Sequence, residues 1–171
     1  FFASVATEEN PDIRDYILLS LLTGARRSNV VEMRWQELQL KQGIWQIPRT
    51  KNDDPQDVTL SPEAVEVLEA RKGNDSEWVF PGSGKTGHLV EPKSGWKRIL
   101  DRDEINQLQK RIEAAGGKFQ WPAKLRKPEG HRGRTHERVE DSLARARTTA
   151  AKMKIDTTGA RMPDLRLHDL R

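Results

Sequence analysis

The 171-residue sequence contains no cysteine and one tyrosine, Tyr16. Without thiols it builds neither a disulfide scaffold nor a thiolate metal site. No apolar run approaches the roughly 18 residues of a membrane-spanning helix, and the first residues do not read as a secretory signal. A strong net charge is lacking too: 30 Lys and Arg stand against 26 Asp and Glu, a balance of +4. These absences lead to the expectation of a soluble, cytoplasmic protein. They leave partners to be argued from where the charge lies, not from its total.

The length suits one domain and suffices to bury a core. Hydrophobic residues are 35%, charged residues 33%, and the mean hydropathy is −0.82. That is more polar than an average domain, so a compact core with a long solvated or ligand-facing region is expected. The charge is uneven. Residues 118–154 carry 11 basic against 4 acidic side chains, leaving 19 against 22 elsewhere. A basic stretch of this kind faces a polyanion or forms a solvated loop. The chain opens on Phe1-Phe2 without a methionine and ends at Arg171 inside a motif, so a piece of a longer polypeptide is expected.

Helical spacing of Ile13, Tyr16, Ile17, Ser20 and Leu21, widened by Leu18, Leu19 and Leu22, predicts a largely buried helix over 11–22. Asn10-Pro11 starts it and Thr23-Gly24 stops it. A second helix is read from about Ser28 to Arg34, followed by a connection over 35–40. Residues 43–48 and 57–60 read as the strands of a hairpin, joined by a polar segment with Asp53-Asp54-Pro55 as its turn. Ser61-Pro62-Glu63 begins a well-signalled helix through Val65 and Leu68. Trp78 to Pro81 is a short apolar stop, and 82–87 a turn. That glycine-rich turn lacks the spacing of a phosphate loop. Two helices are predicted over 94–100 and 103–115, a loop over 119–134, and an exposed helix over 135–153. The expected class is α+β, mainly α-helical, with a small antiparallel sheet.

Three short stretches share one chemical character. Leu22-Thr23-Gly24-Ala25-Arg26-Arg27-Ser28-Asn29 sets an arginine after a tight glycine turn at a helix junction. Thr50-Lys51-Asn52 puts a lysine at the tip of a polar hairpin. His168-Asp169-Leu170-Arg171 spaces a histidine and an arginine to share a helical face. Brought together, Arg26, Lys51, His168 and Arg171 suit a phosphate: guanidinium forks bind its oxygens, lysine donates a proton, histidine serves as acid or base. Each stretch alone is more often a surface feature; their order is what carries the reading. His131 and His136 have no partners at ligand spacing, so no zinc site is read there.

That order resembles the tyrosine recombinases, the phage integrase family, in their catalytic domain. Leu21-Leu22-Thr23-Gly24-Ala25-Arg26 with Val30-Val31-Glu32-Met33-Arg34-Trp35 is similar to its first box, Lys51 to its hairpin lysine, and Leu167-His168-Asp169-Leu170-Arg171 to its second box. The similarity spans about residues 5–100 and 160–171. The resemblance implies site-specific recombination of double-stranded DNA. Arg26 and Arg171 would clamp the scissile phosphate, Lys51 would protonate the leaving 5′-hydroxyl, and His168 would assist the nucleophile. A tyrosine would attack to give a 3′-phosphotyrosyl link, without metal or other cofactor. It also implies a homo-oligomer, a tetramer on DNA, and association with the nucleoid.

Three departures stand out. Asn29 occupies a position where the family often has glutamate. The basic stretch reads as an insertion at about 101–160, with Arg27, Lys124, Arg126, Lys127, Arg132 and Arg134 as candidate DNA contacts. The nucleophilic tyrosine would fall beyond Arg171, since Tyr16 lies upstream on an apolar face and reads as core. The chain is thus expected to be one incomplete catalytic domain over 1–171, lacking an N-terminal DNA-binding domain and the tyrosine segment, and unable to cleave alone. A non-catalytic DNA-binding or regulatory module of the same fold, or a helical protein-interaction domain, are the alternatives.

Overall fold

The computed structural model describes residues 1–48, 54–73, 75–120 and 135–162, with side chains in the last stretch from 139 onward. They form two compact bodies, one made of Glu8–Pro92 and the other of Phe1–Thr7 with residues 93–162.

In the first body, helix α2 runs Pro11–Thr23 (α1, Phe2–Ala6, belongs to the other body). Asn10 caps it as expected, its side-chain oxygen accepting from the N–H groups of Asp12 and Ile13 at 2.9 and 3.4 Å. Gly24, at φ 60°, closes it in the left-handed conformation that glycine adopts without steric penalty. A five-residue helix α3 follows at Arg27–Val31, shorter than the segment read from the sequence.

The hairpin is present as β2 (Ile44–Ile47) and β3 (Gln56–Thr59), antiparallel, with Trp45 opposite Val58 and Ile47 opposite Gln56. Residues 35–40 are more than a connection. They hold a 3-10 turn and a two-residue strand, β1 (Leu38–Gln39), which pairs with β2 to make a three-stranded sheet. Two residues carry too little alternation to signal a strand. Helix α4 spans Pro62–Arg71, its N-terminus capped by Ser61, whose hydroxyl accepts from the Ala64 N–H at 3.3 Å. Tyr16, Leu19, Val30, Met33, Trp45, Leu68, Val79 and Phe80 are fully buried.

The glycine-rich segment is indeed a turn. Pro81 bridges His88, and a Cβ on Gly82 would lie 2.2 Å from the His88 carbonyl oxygen, a backbone atom that cannot yield.

The second body corrects two readings. The two helices expected over 94–115 are one, α5, Lys93–Ala114. The apparent break, Asp101-Arg102-Asp103-Glu104, is buried inside it. Ion pairs make this tolerable. Asp101 is bound by Lys97 at 2.9 Å, and Glu104 by Arg147 and Arg161 at 2.7 and 3.0 Å. The helix read as exposed over 135–153 is α6, Thr135–Lys152, and it is packed. Val139, Leu143, Ala146 and Ala150 form a stripe against Ile105, Leu108 and Ile112 of α5, joined by Phe119 and Ala160. Alanine at two of the four stripe positions hides the apolar period while allowing the helices to approach closely. The loop expected over 119–134 lies, after Gln120, outside the described residues.

Candidate functional site

Arg26 sits at the corner between α2 and α3. On the upstream side, Thr23 donates its hydroxyl to the Leu19 carbonyl at 2.6 Å and accepts from the Ala25 N–H at 3.3 Å. With Gly24 these bonds terminate α2 and turn the chain. Arg26 is then the N-cap residue of α3, extended at φ −61° and ψ 135°, and its carbonyl accepts the first helical bond from Val30 at 3.1 Å. Its side chain is half-buried, and among the described residues none forms a hydrogen bond or ion pair with it. The corner thus presents a permanently charged guanidinium that has not been neutralised by those neighbours.

Arg27 behaves differently. Its Nη1 donates to Glu91 Oε1 in an ion pair. Asn29 lines a cavity of about 260 Å³ with Glu32, Arg34, Glu37, Trp45 and Trp78. Arg34 is held there structurally, 3.0 Å from Glu77 and with its guanidinium 4.2 Å from the centre of the Trp78 ring. Ile47 and Pro48 line the same cavity at the end of β2.

Tyr16 is fully buried, its ring edge-on to Phe80 with centroids 5.9 Å apart. Among the described residues its hydroxyl has no hydrogen-bond partner. Burial pushes the phenol up to about 12, outweighing the neighbouring Ser20 hydroxyl. A phenol so placed is a core group, as its sequence position suggested.

Of the predicted site residues, Arg26 and Arg27 are described. Lys51, His168 and Arg171 lie outside the described residues, as do Lys124, Arg126, Lys127, Arg132 and Arg134. Among the described residues no group of His, Asp and Glu could hold a metal ion. Nor is any helix there long and apolar enough to cross a membrane.

Two residues that tie this body together escape a sequence reading. Arg71, 9% exposed, ties α4 to α2, reaching Asp12 at 2.6 Å and Asp15 at 2.9 Å. It also donates to the Val79 carbonyl at 3.0 Å and lies over the Phe80 ring at 4.6 Å. In sequence it is one basic residue ending a helix, a position the helix dipole alone explains. Glu91 likewise stands in a polar stretch with no motif around it.

The described residues are mainly helical with a small antiparallel sheet, and they present at a Thr-Gly-x-Arg corner an arginine that none of them neutralises. The chain belongs to the phage integrase family, whose sequence model matches residues 3–171. It is 30% identical over 114 residues to the prophage integrase IntF of Escherichia coli, covering 63% of this chain and 24% of that protein. It is 31% identical over 70 residues to the integrase of Salmonella phage P22, covering 40% of this chain and 18% of that one. To a shufflon-specific DNA recombinase of Escherichia coli it is 35% identical over 90 residues, 53% of this chain and 22% of the recombinase. The chain therefore spans less than a third of the length of these relatives. No solved structure matches it.

Proposed function

We propose that this chain is the phosphate-binding part of a tyrosine recombinase catalytic domain, acting in site-specific recombination or integration of double-stranded DNA. The observation that carries the reading is Arg26, charged and unpartnered among the described residues, at the corner between two helices. Arg26 and Arg171 hold the non-bridging oxygens of the scissile phosphate and stabilise the charge that develops there. Lys51, in the connection between β2 and β3, protonates the leaving 5′-hydroxyl, and His168 moves the nucleophile's proton. The wider protein works as a homotetramer on DNA in the cytoplasm, bound to the nucleoid while on its substrate. The relatives named as integrases and a DNA recombinase support this reading.

Cleavage needs a tyrosine whose hydroxyl can reach the phosphate, and Tyr16 is sealed in the core. The 171-residue chain alone therefore binds DNA without forming a covalent link. A suicide duplex that traps the cleaved intermediate tests this: no adduct is expected on a denaturing gel. Any adduct would overturn the expected inactivity of the chain, and one that disappears in the Tyr16→Phe variant would also overturn the assignment of Tyr16 to the core.

A further inference from the structure

Helix α3 is five residues long, far below the length at which a helix holds itself together in water. Its N-cap residue, Arg26, makes no side-chain capping bond. The direction in which Arg26 leaves the corner must therefore be set by ties to the rest of the fold. Upstream the ties are Gly24 and the Thr23 hydroxyl. Downstream, the only charged tie described at the first turn of α3 is the Arg27–Glu91 ion pair.

Glu91 is itself well anchored. The Leu89 N–H donates to the Phe80 carbonyl at 2.8 Å, and Pro92 is buried. Phe80 packs on Tyr16 of α2, so the segment carrying Glu91 is referenced to the helix that ends at the corner.

We propose that Glu91 is a positioning residue for Arg26: by holding the adjacent Arg27 guanidinium, it fixes the first turn of α3 and the aim of Arg26 at the phosphate. This rests on the reading of Arg26 as a phosphate ligand. It reassigns Arg27 from direct DNA contact to a strut. The pair is partly exposed, so it contributes little to global stability. Its effect is on geometry.

The two roles of Arg27 predict opposite signs. Glu91→Gln removes a negative charge and releases Arg27. If Arg27 gripped DNA directly, that change would tighten binding. A strut predicts weaker binding, by about fivefold to tenfold, the net worth of one ordinary hydrogen bond. Duplex DNA affinity is measured by fluorescence anisotropy at fixed salt for the 171-residue chain and for its Arg26→Ala, Glu91→Gln and Glu91→Asp variants, with the melting temperature of each. In parallel, the Arg26 Nε–Hε NMR signal is followed during titration with inorganic phosphate.

The expected result is weaker DNA binding and a higher phosphate midpoint in Glu91→Gln, at nearly unchanged melting temperature, with recovery in Glu91→Asp. Affinity in Glu91→Gln equal to or above that of the unaltered chain overturns the strut. Should Glu91→Gln not fold, Arg27→Lys replaces it. That variant keeps the charge but not the guanidinium reach, and undiminished binding there is equally fatal. The underlying reading fails separately: Arg26→Ala would then bind DNA and phosphate like the unaltered chain. A loss in Arg26→Ala with none in Glu91→Gln condemns the strut alone.

Discussion

Arg147 reaches from α6 to both carboxylate oxygens of Glu104 on α5, its Nε at 2.7 Å from one and its Nη2 at 2.9 Å from the other. Glu104 is 6% exposed and Arg147 51%, so the pair crosses from the buried face of the helix pair to its rim. Removing the arginine leaves Glu104, among the described residues, with Arg161 alone. Arg147→Ala should destabilise the α5–α6 body by about 1–2 kcal/mol, a charged hydrogen bond discounted for the arginine's exposure. Urea denaturation measures it; a change within the noise would mean the pair contributes nothing.

Acid should act on the same contact. Burial pushes the Glu104 carboxyl up, but its hydrogen bonds and charge contacts with Arg147 and Arg161 prevail, and it titrates below the usual carboxylate range. A depressed acid stabilises the fold above its unfolded value of about 4.3, and that contribution is lost as pH falls through the lower folded value. Glu104→Gln should therefore flatten the stability profile below about pH 4 relative to the unaltered chain. Parallel profiles would refute the linkage.

Tyr16 gives a second pH signature at the other end of the scale. Its folded value near 12 exceeds the unfolded value of about 10, so stability is intact below pH 10 and declines as the unfolded phenol ionises between the two. Tyr16→Phe should remove that decline. Because the hydroxyl is buried without a partner among the described residues, the same substitution should be neutral or stabilising by about 0–1 kcal/mol near neutrality. A loss above that range would show that the hydroxyl has a partner.

Arg71 should be the most sensitive cation of the Glu8–Pro92 body. Arg71→Ala leaves the buried Asp15 with Arg14 and removes the guanidinium from Asp12 and the Val79 carbonyl, at an expected cost of about 2–3 kcal/mol. Thermal and urea melts report it directly. A loss below about 1 kcal/mol would place the stability of α2 elsewhere.

Packing of α6 is tested by enlargement. Ala146 is fully buried against α5, so Ala146→Leu should cost about 1–3 kcal/mol by overpacking. On an exposed helix the same change would be harmless, and a neutral result would restore that first reading.

Local signals were read well where a residue's effect is local. Asn10-Pro11, Thr23-Gly24 and Ser61-Pro62 marked helix ends because caps and left-handed turns depend on a few neighbouring atoms. The strands of the hairpin announced themselves by alternation. The unbroken α5 was missed because Asp101 to Glu104 looks like a helix break until the lysine and arginines that neutralise it are brought near from positions 97, 147 and 161. The buried face of α6 was missed because alanine contributes little apolar signal in sequence. Arg26 stood out by its motif, whereas Glu91 lies 64 residues from the arginine it binds and carries no local mark.

The sequence by itself determined the family, through Thr-Gly-Ala-Arg at the first box and Leu-His-Asp-Leu-Arg at the second, and the core role of its single tyrosine. Both follow from chemistry carried by short stretches and from helical period. Tertiary structure alone decided which arginines are free and which are held. Arg26 and Arg27 are adjacent and chemically identical, yet one is left unneutralised among the described residues and the other is bound to Glu91. A guanidinium is charged wherever it stands; whether a carboxylate lies within reach depends on folding that brings distant segments together.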